Sequence, residues 1–379
     1  MYFKLTEEQE LIRDNMREFA RTYVDPVAVE IDENSRYPEE VIKKLAEGGW
    51  MGMPFPTEFG GAGVDYLTYA IAVEELSRSC AATGFTMSVH TGLACGPIAL
   101  FGNEEQKKKY LTPMAKGQHL GAFALTEPGA GTDVGSATST AVLDGDEYVL
   151  NGVKTFTSNG PVANTYVTFA WTDKNDKRNG MTAFIVPRET PGLSVGEHFM
   201  KMGIRASQTS EMIFKDCRVP KENVLGKVGD GMKIAMNSFD HGRIGIAAQA
   251  VGIAQAALDE SISYSKQRIQ FGKPISKNQA IQWMIADMYT DITAGRFLYY
   301  YAAYLKDQGL PFSKEAAMAK VFCAEMCSKH ASKAVQIHGG YGYCKGQKVE
   351  RLMRDAKITE IYEGTSEAQR MVIAGNVLR

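Results

Sequence analysis

The sequence lacks the features that mark several large classes of protein. Its 379 residues carry a formal net charge of -2, so it has no basic excess for binding nucleic acid. We find no apolar run of the length of a bilayer span, and the acidic N-terminal segment lacks the apolar block of a signal peptide. These absences predict a cytoplasmic protein that binds neither nucleic acid nor a membrane.

Cysteine is sparse and scattered. The six cysteines suit reduced thiols better than a disulfide framework in a chain of this size. Cys323, Cys327 and His330 share one face of a predicted helix, but no fourth Cys or His lies nearby to complete a tetrahedral site. Packing of small thiols in a helical core is the simpler interpretation, and we predict no metal.

The common nucleotide-binding and hydrolase fingerprints are also missing. Gly129-Ala130-Gly131 is followed by Val134 where a dinucleotide-binding loop needs a third glycine, and no β-α-β pattern surrounds it. The sequence contains no P-loop, no HExxH zinc motif and no GxSxG nucleophile motif. A Rossmann NAD enzyme, a P-loop NTPase and an α/β-hydrolase are therefore disfavoured.

What the sequence does contain is a change of hydrophobic period along the chain. Residues 1–118 have helical spacing. Residues 119–228 hold short alternating segments, and Asn151-Gly152 suits the turn of a β-hairpin. Residues 229–379 hold long segments with few helix breakers. This order predicts an α+β chain with an N-terminal helical domain, a middle antiparallel β-domain and a C-terminal four-helix bundle.

Individual elements can be placed within these regions. The pattern predicts a loop over 50–65, because prolines and glycines cluster there. The predicted helices of greatest interest are Tyr66–Ser79, Gly231–Arg268, Gln279–Asp307, Lys314–Ile337 and a last one over 350–378.

Three polar, glycine-rich segments interrupt this ordinary core. Residues 126–133 follow a predicted strand, whereas residues 268–273 and 336–343 each end a predicted helix. Glycines let backbone N–H groups approach a planar or anionic ligand closely. A plain turn, a charged helix end and a helix C-cap are the respective alternatives, and the segments alone leave them open.

Glu363 is the candidate for acid–base chemistry. It lies between the apolar pair Ile361-Tyr362 and a glycine break at Gly364. A carboxyl group held in an apolar pocket has its pKa raised towards neutrality, which a general base for a weak carbon acid needs. A solvent-facing glutamate ahead of a helix N-cap is the alternative that this stretch alone leaves open.

Seven motifs, taken together, resemble those of the acyl-CoA dehydrogenase family over essentially the whole chain, in particular its short-chain, butyryl-CoA type. In the family's order they are TEPGAGTD at 126–133, KTFTSNG at 154–160, MGIRASQTSE at 202–211, FDHGRIGIAAQ at 239–249, RIQFGKP at 268–274, QIHGGYGY at 336–343 and RDAKITEIYEGTSEAQR at 354–370. The resemblance implies the same three domains with FAD between them, in a homotetramer built as a dimer of dimers.

The resemblance also implies cofactor contacts at individual positions. Those implied to line the flavin within one subunit are Phe123, Leu125, Thr126, Thr132, Phe156 and Ser158. Those implied to reach the FAD of a neighbouring subunit are Arg268, Gln270, Phe271, Gln336, Gly339 and Gly340. Thr365 and Glu367 also match FAD contacts, and Ser158 stands where the family usually has threonine.

The catalytic base implied by the resemblance is Glu363. Residues that match positions near the CoA thioester are Thr132, Asp240, Arg243, Tyr362 and Gly364. Arg243 as a structural ion-pair partner is the alternative for that residue. In a related subgroup the base stands just before the arginine of the FDHGR motif, but here that position is Gly242, which cannot accept a proton.

The implied reaction interconverts a short-chain acyl-CoA and its trans-2-enoyl-CoA. Glu363 would take the pro-R α-proton while a hydride passes from Cβ to flavin N5, and the implied electron partner is an electron-transferring flavoprotein. Three alternatives stay open: an enoyl-CoA reductase, including one for aryl-acrylyl-CoA, an acyl-CoA oxidase, and a non-catalytic flavin scaffold.

Three stretches leave the acyl group and the partner contacts undetermined. Gly92 and Ala94 are small enough to admit a bulkier acyl group, although simple helix packing explains them equally well. Residues 198–200 and 344–348 depart from the acidic pattern usual in the family, which affects either the partner surface or the CoA contacts.

Overall fold

The computed structural model describes residues 4–378, and helices fill the first of three regions. These helices are α1 (Glu7–Phe19), α2 (Ala28–Glu33), α3 (Glu39–Glu47), α4 (Tyr66–Ser79), α5 (Ala81–Ser88), α6 (Gly96–Phe101), α7 (Glu104–Gln106) and α8 (Thr112–Ala115). The prediction for α4 is confirmed at both ends. At its N-terminus the Asp65 side chain caps the helix by accepting the Thr68 N–H at 2.7 Å.

The helical stretch Ala81–Phe101 corrects one expectation. A π-helical segment, Val89–Cys95, joins α5 to α6, so the whole stretch is 21 residues long and contains an 18-residue window with a mean hydropathy of 1.2. It is therefore long and apolar enough to cross a bilayer, and the expectation of no such run is wrong. Of this window 78% is buried inside the fold, so the apolar character serves core packing.

The second region forms one eight-stranded sheet. Its strands are β1 (Gly121–Ala124), β2 (Thr140–Asp144), β3 (Glu147–Ser158), β4 (Thr165–Trp171), β5 (Met181–Pro187), β6 (Leu193–His198), β7 (Thr209–Pro220) and β8 (Val224–Leu225), in the order β6-β7-β3-β2-β4-β5-β8. Most pairs are antiparallel, as predicted. The exceptions are β1, which pairs with β4 in parallel, and a single parallel bridge between β2 and β4.

The hairpin turn predicted at Asn151-Gly152 lies instead at Gly145-Asp146. There β2 passes into β3, with a φ of +62° at Gly145. β3 continues through Gly152, where a Cβ atom would lie 2.1 Å from the hydroxyl oxygen of Ser139. The prediction is wrong because this glycine permits close contact between two segments of the same chain, and a turn is only one of the uses of glycine in strands.

Long helices fill the third region and confirm its helical character. They are α9 (Gly231–Gln267), α10 (Gln279–Asp307), α11 (Ser313–His338), α12 (Lys348–Ile358) and α13 (Ser366–Val377), with a two-stranded ribbon of β9 (Ile269–Gln270) and β10 (Lys273–Pro274) after α9. The last predicted helix, 350–378, is in fact two helices with a break over 359–365. The domain boundaries after residues 118 and 228 stay predictions.

Helix α9 lies at the centre of the main apolar core. It packs against α4, α10 and α11, and its residues 241–254 are all buried. Small residues allow this close packing: a Cβ atom on Gly252 would lie 2.3 Å from the carbonyl oxygen of Glu74 on α4. The middle of α9, which carries the FDHGR motif, is thereby fixed in the interior.

Five of the six cysteines are buried and behave as core thiols, whereas Cys344 is exposed. All six are unpaired, and Cys323 donates to the carbonyl oxygen of Gly295 at 3.3 Å between α11 and α10. The ring of His330 bonds to Asp291 instead of facing a metal site. No group of three His, Cys, Asp or Glu residues suited to a metal ion occurs among residues 4–378.

A buried ion pair ties the segment 126–133 to β3. The Lys154 Nζ lies 2.7 Å from Glu127 Oε1, and both side chains are buried. The Glu127 carboxylate also accepts the N–H and hydroxyl of Thr138 and the N–H of Ser139. Burial alone would raise the pKa of Glu127, but the Lys154 charge and these donors hold it at about 2.

We predict that Glu127→Gln lowers the free energy of unfolding by about 3–5 kcal/mol, because it leaves Lys154 buried without a countercharge. In the unmodified protein this contribution is fully present above about pH 4.5 and is lost as the pH falls through about 2, since the folded-state pKa of Glu127 is depressed. Urea unfolding followed by circular dichroism at several pH values measures both effects.

Lys221→Met is the matched control, since it removes an exposed ion pair with Asp146 in the same domain. This variant should change the free energy of unfolding by less than about 1 kcal/mol. Equal losses in the two variants would contradict the role of the buried pair.

Candidate active site

Glu363 lies in the break between α12 and α13, in a left-handed backbone turn. The φ angle is +51° at Glu363 and +91° at Gly364. A non-glycine residue in this region costs roughly 1–2 kcal/mol, so its surroundings must hold it there. Two buried side chains do so: Lys320 Nζ donates to the Gly364 carbonyl oxygen at 2.6 Å, and Gln369 Nε2 donates to the same oxygen at 2.8 Å and to that of Glu363 at 3.2 Å.

The carboxylate of Glu363 is buried and has no hydrogen-bond partner. The residue is 9% exposed, and neither carboxylate oxygen meets a donor in the part of the chain that the structure describes. Burial raises the pKa of Glu363 to about 8, although the charges of Lys320 and Arg243 oppose this. Thr365 does cap α13, as the alternative for this stretch requires, but Glu363 is not solvent-facing.

Gly242 on α9 provides the space for this carboxylate. A Cβ atom on Gly242 would lie 2.0 Å from Glu363 Oε2. A side chain at position 242 would therefore project into the volume that the Glu363 carboxylate fills. The resemblance distinguishes two positions for the base, 242 and 363. In this fold a side chain from either position would enter the same volume, and here the Glu363 carboxylate fills it.

Aromatic side chains form the walls beside the carboxylate. The ring of Tyr362 stacks on Phe85 at 4.5 Å, and its hydroxyl donates to Gln249 Oε1. A Cβ atom on Gly92 would meet nothing nearer than the Tyr66 hydroxyl at 3.6 Å, so this position has room on the side of α9. Ala94 differs, because it packs closely against β1 at Gly121.

Asp240 and Arg243 form an ion pair on α9. Arg243 Nη1 lies 2.6 Å from Asp240 Oδ1, which also accepts the Ser313 hydroxyl at 2.9 Å. The structural alternative for Arg243 is therefore present in the geometry. Its Nε is nevertheless buried without a partner among residues 4–378, so one donor is available to a ligand.

The residues assigned to the flavin of one subunit gather around β1 and the end of β3. Phe123 and Leu125 are buried, Thr126 and Ser158 are half-buried, and Thr132 and Phe156 are exposed. The two segments are joined where the Thr155 N–H donates to the Thr126 carbonyl oxygen at 2.7 Å. Phe123 also meets Phe239 of α9 edge-on at 5.8 Å, which links this group to the FDHGR motif.

This surface fits a planar cofactor with an anionic tail. Gly129 and Gly131 are exposed, and within the described residues their N–H groups donate to no protein acceptor. The Phe156 ring is 63% exposed on a backbone with a φ of +52°, and it contacts Phe199 at 4.6 Å. A bound flavin nucleotide would cover the exposed Phe156 ring and accept hydrogen bonds from the N–H groups of Gly129 and Gly131.

The residues assigned to the FAD of a neighbouring subunit lie at the far end of α9. The Arg268 guanidinium sits over the Tyr341 ring at 5.8 Å, which brings residues 268–271 and 336–343 together. Phe271, at 98% exposure, projects into solvent. Arg268 follows Gly242 by about 39 Å along one continuous helix at 1.5 Å per residue, so these residues do not lie beside Glu363 in the same chain.

The remaining predicted residues lie beside the turn that carries Glu363. Gly364 and Tyr362 flank it, Thr365 caps α13, and Glu367 is exposed in the first turn of that helix. Sequence reasoning missed Lys320 and Gln369. The only signal for Lys320 was a lysine on a helix face made mainly of alanine and cysteine.

Three family models together match most of the chain. They are "Acyl-CoA dehydrogenase, N-terminal domain" over residues 6–118, "Acyl-CoA dehydrogenase, middle domain" over 122–217 and "Acyl-CoA dehydrogenase, C-terminal domain" over 229–378.

Individual relatives agree with these matches. The chain is 54% identical over 379 residues to the short-chain specific acyl-CoA dehydrogenase of Clostridium acetobutylicum, covering 100% of both chains. It is 51% identical over 381 residues to an acryloyl-CoA reductase (NADH) of Anaerotignum propionicum, covering 100% of this chain and 96% of that one. It also matches, with a TM-score of 0.99, 51% identity and 100% coverage of both chains, a solved structure described as the electron transferring flavoprotein of Acidaminococcus fermentans.

We predict that Glu363→Gln makes the protein more stable than the unmodified chain at pH 7.5 but not at pH 4.5. The folded-state pKa of Glu363 is raised, so ionisation destabilises the folded state increasingly from about pH 4.5 to pH 8. The difference at pH 7.5 should reach about 2–4 kcal/mol. Denaturant unfolding at equal cofactor content measures it, and Glu105→Gln, at an exposed position of α7, is the control. A stability difference independent of pH would contradict the buried, ionisable site.

Proposed function

This chain belongs to the acyl-CoA dehydrogenase family, a flavin-dependent family of oxidoreductases, and we propose that it interconverts a short-chain acyl-CoA and its trans-2-enoyl-CoA with FAD as cofactor. The observation that carries this proposal is the Glu363 carboxylate, which is buried and has no hydrogen-bond partner among the described residues. Burial raises its pKa to about 8, close to the pH of the cell. The 54% identity to a short-chain specific relative supports the choice of acyl group.

The proposed role of Glu363 is to accept the α-proton of the thioester. A carboxylate with a pKa of about 8 is a stronger base than an ordinary glutamate, and burial removes the water that would weaken it. The backbone N–H of Glu363 donates to no acceptor in residues 4–378, so it is free to polarise the thioester carbonyl. When bound, the flavin supplies the acceptor for the hydride from Cβ.

The walls of the site have a second proposed role. Tyr362, held by Gln249 and stacked on Phe85, fixes the position of the acyl chain and keeps water from the reacting carbons. A Cβ atom on Gly92 would already be in ordinary contact with the Tyr66 and Tyr69 hydroxyls, so the room beside Gly92 supports a short acyl group rather than a bulky one. The unpartnered Nε of Arg243 supports a contact with the CoA portion.

We propose that two chains build each cofactor site. The distance of about 39 Å between Gly242 and Arg268 along α9 supports this, because a flavin ring beside Glu363 must receive its Arg268 contact from another chain. A dimer of dimers is supported further by the exposed aromatic rings of Trp283, Tyr289 and Tyr304 on α10, since monomers rarely expose such rings together.

The proposed electron partner is an electron-transferring flavoprotein, which the similarity to a chain in a structure named for such a protein supports. The opposite physiological direction, enoyl-CoA reduction, is a second candidate, favoured by the 51% identity to an acryloyl-CoA reductase. The same site serves both directions, so the partner that delivers or removes electrons decides between them. A cytoplasmic location stays a prediction.

We predict that Glu363→Gln retains FAD but slows anaerobic bleaching of the flavin by butyryl-CoA by about 10²–10⁴-fold, because the α-proton then has no acceptor. In the unmodified enzyme kcat/KM should rise tenfold per pH unit below about 8, since only the ionised Glu363 is active. Stopped-flow absorbance measures both. Glu325→Gln, at an exposed position of α11, is the control for the substitution itself.

Near-normal bleaching in the Glu363 variant would refute the base assignment. Bleaching of the unmodified protein followed by rapid reoxidation in air, with no need for a partner flavoprotein, would favour the oxidase alternative. No bleaching by any saturated CoA ester, with FAD bound, would favour the reductase or the scaffold.

A complementation experiment tests the shared cofactor site. Glu363→Gln and the double variant Arg268→Ala, Phe271→Ala should each be inactive alone, the second through loss of FAD. When the two variants are co-expressed, about half of the dimers should be mixed. In each mixed dimer one of the two sites combines an intact Glu363 from one chain with intact Arg268 and Phe271 from the other, so about a quarter of all sites should be active. Activity absent from the mixture, although mixed dimers are present by mass spectrometry, would contradict a site built from two chains.

A further inference from the structure

Lys320 on α11 is a buried cation without a countercharge in contact. The side chain is fully buried, and in the region that the structure covers it forms no ion pair. Its Nζ donates to the carbonyl oxygen of Gly364 at 2.6 Å. Lys154, the other fully buried lysine, is instead paired with Glu127 at 2.7 Å. An unpaired buried ammonium group costs several kcal/mol, so structural packing alone does not account for a lysine here.

The contact of Lys320 falls on the turn that aims Glu363. Gly364 has a φ of +91° and follows Glu363 directly, so the orientation of this peptide sets the direction of the glutamate side chain. Gln369 donates to the same carbonyl oxygen from α13, on the other side of the break. One cationic and one neutral donor, from two helices, therefore hold the same strained turn.

Charged and titratable groups reach this turn from every element packed against it. They are Arg243 of α9, Lys320 of α11, Tyr66 and Tyr69 of α4, Glu360 and Tyr362 of the break, and Glu367 of α13. Arg243 is neutralised in part by Asp240 at 2.6 Å. Lys320 is thus a cation near Glu363 that forms no ion pair with a carboxylate among residues 4–378, and Glu360 and Glu367 act on its charge only from a distance.

We propose that Lys320 is a positioning residue for the base: its Nζ fixes the left-handed turn at Glu363-Gly364, and its positive charge stabilises the ionised carboxylate of Glu363. The role in catalysis rests on the proposed function of Glu363, whereas the charge coupling between the two residues does not. Burial lowers the pKa of Lys320 to about 8, and the ionised Glu363 favours its charged form. The two groups therefore titrate over the same pH range and influence each other.

The direct test is the titration of the Glu363 carboxyl group in Lys320→Met. Infrared difference spectra of the full-length, FAD-loaded protein without substrate would follow the carboxyl stretching band over pH 5–10, and the band is assigned by its loss in Glu363→Gln. Loss of the Lys320 charge should raise the titration midpoint by about one pH unit or more. The acidic limb of kcat/KM should move in the same direction by a similar amount.

Two further variants separate charge from geometry. Lys201→Met is the matched control: Lys201 Nζ also donates to a backbone carbonyl oxygen, that of Ser207 at 2.7 Å, and its pKa is likewise lowered to about 8 by burial, but Glu363 is not among the charges that act on it. This variant should leave the Glu363 midpoint unchanged. Gln369→Leu removes the neutral donor and should slow flavin bleaching without moving the midpoint.

The outcomes distinguish this proposal from the proposed function. An unchanged midpoint in Lys320→Met, or an equal shift in Lys201→Met, would overturn the coupling. If Lys320→Met fails to fold or to hold FAD, Lys320→Gln, which keeps a donor but no charge, must show the same upward shift, and an unshifted midpoint there overturns the proposal. If instead Glu363→Gln turns over normally, the base assignment fails while the measured coupling of Lys320 and Glu363 still stands.

Discussion

The candidate active site depends on the burial of the Glu363 carboxylate beside Gly242 of α9. Glu363 Oε2 occupies the place where a side chain at position 242 would project, and no donor reaches either oxygen in the described chain. This arrangement raises the pKa of Glu363 to about 8, and it requires a backbone turn that glutamate does not favour. Helix α9 supplies the glycine and α11 and α13 supply the donors, so three helices must pack correctly before the site exists.

Much of this architecture is predictable from the sequence because local signals and the global fold agree. The Asp65 cap begins α4 where the pattern indicates, and the long α9 and α10 follow from segments without helix breakers. The position of Glu363 between apolar residues and Gly364 also predicts that its pKa is raised, as the structure shows. The resemblance to the family adds the assignment of cofactor residues, which stays a prediction.

The errors share a physical cause, since they concern contacts between segments far apart in the chain. Gly152 reads as a turn residue but permits the approach of Ser139, which no local pattern shows. The apolar stretch 81–101 is explained by the burial of most of its residues, which depends on packing against α9 and β1. Lys320 lies 43 residues before Glu363 in the chain, so its contact with the turn forms only when α11 packs beside the break.

Exchange of the α-hydrogens of butyryl-CoA with deuterium oxide is the measurement that tests the central claim most directly. The FAD-loaded protein, kept anaerobic and without an electron partner, should incorporate deuterium at the α carbon, increasingly so as the pH rises towards about 8. The protein with glutamine at position 363 should incorporate none above the uncatalysed rate. Equal incorporation by both proteins would show that another group takes the proton and would contradict the account.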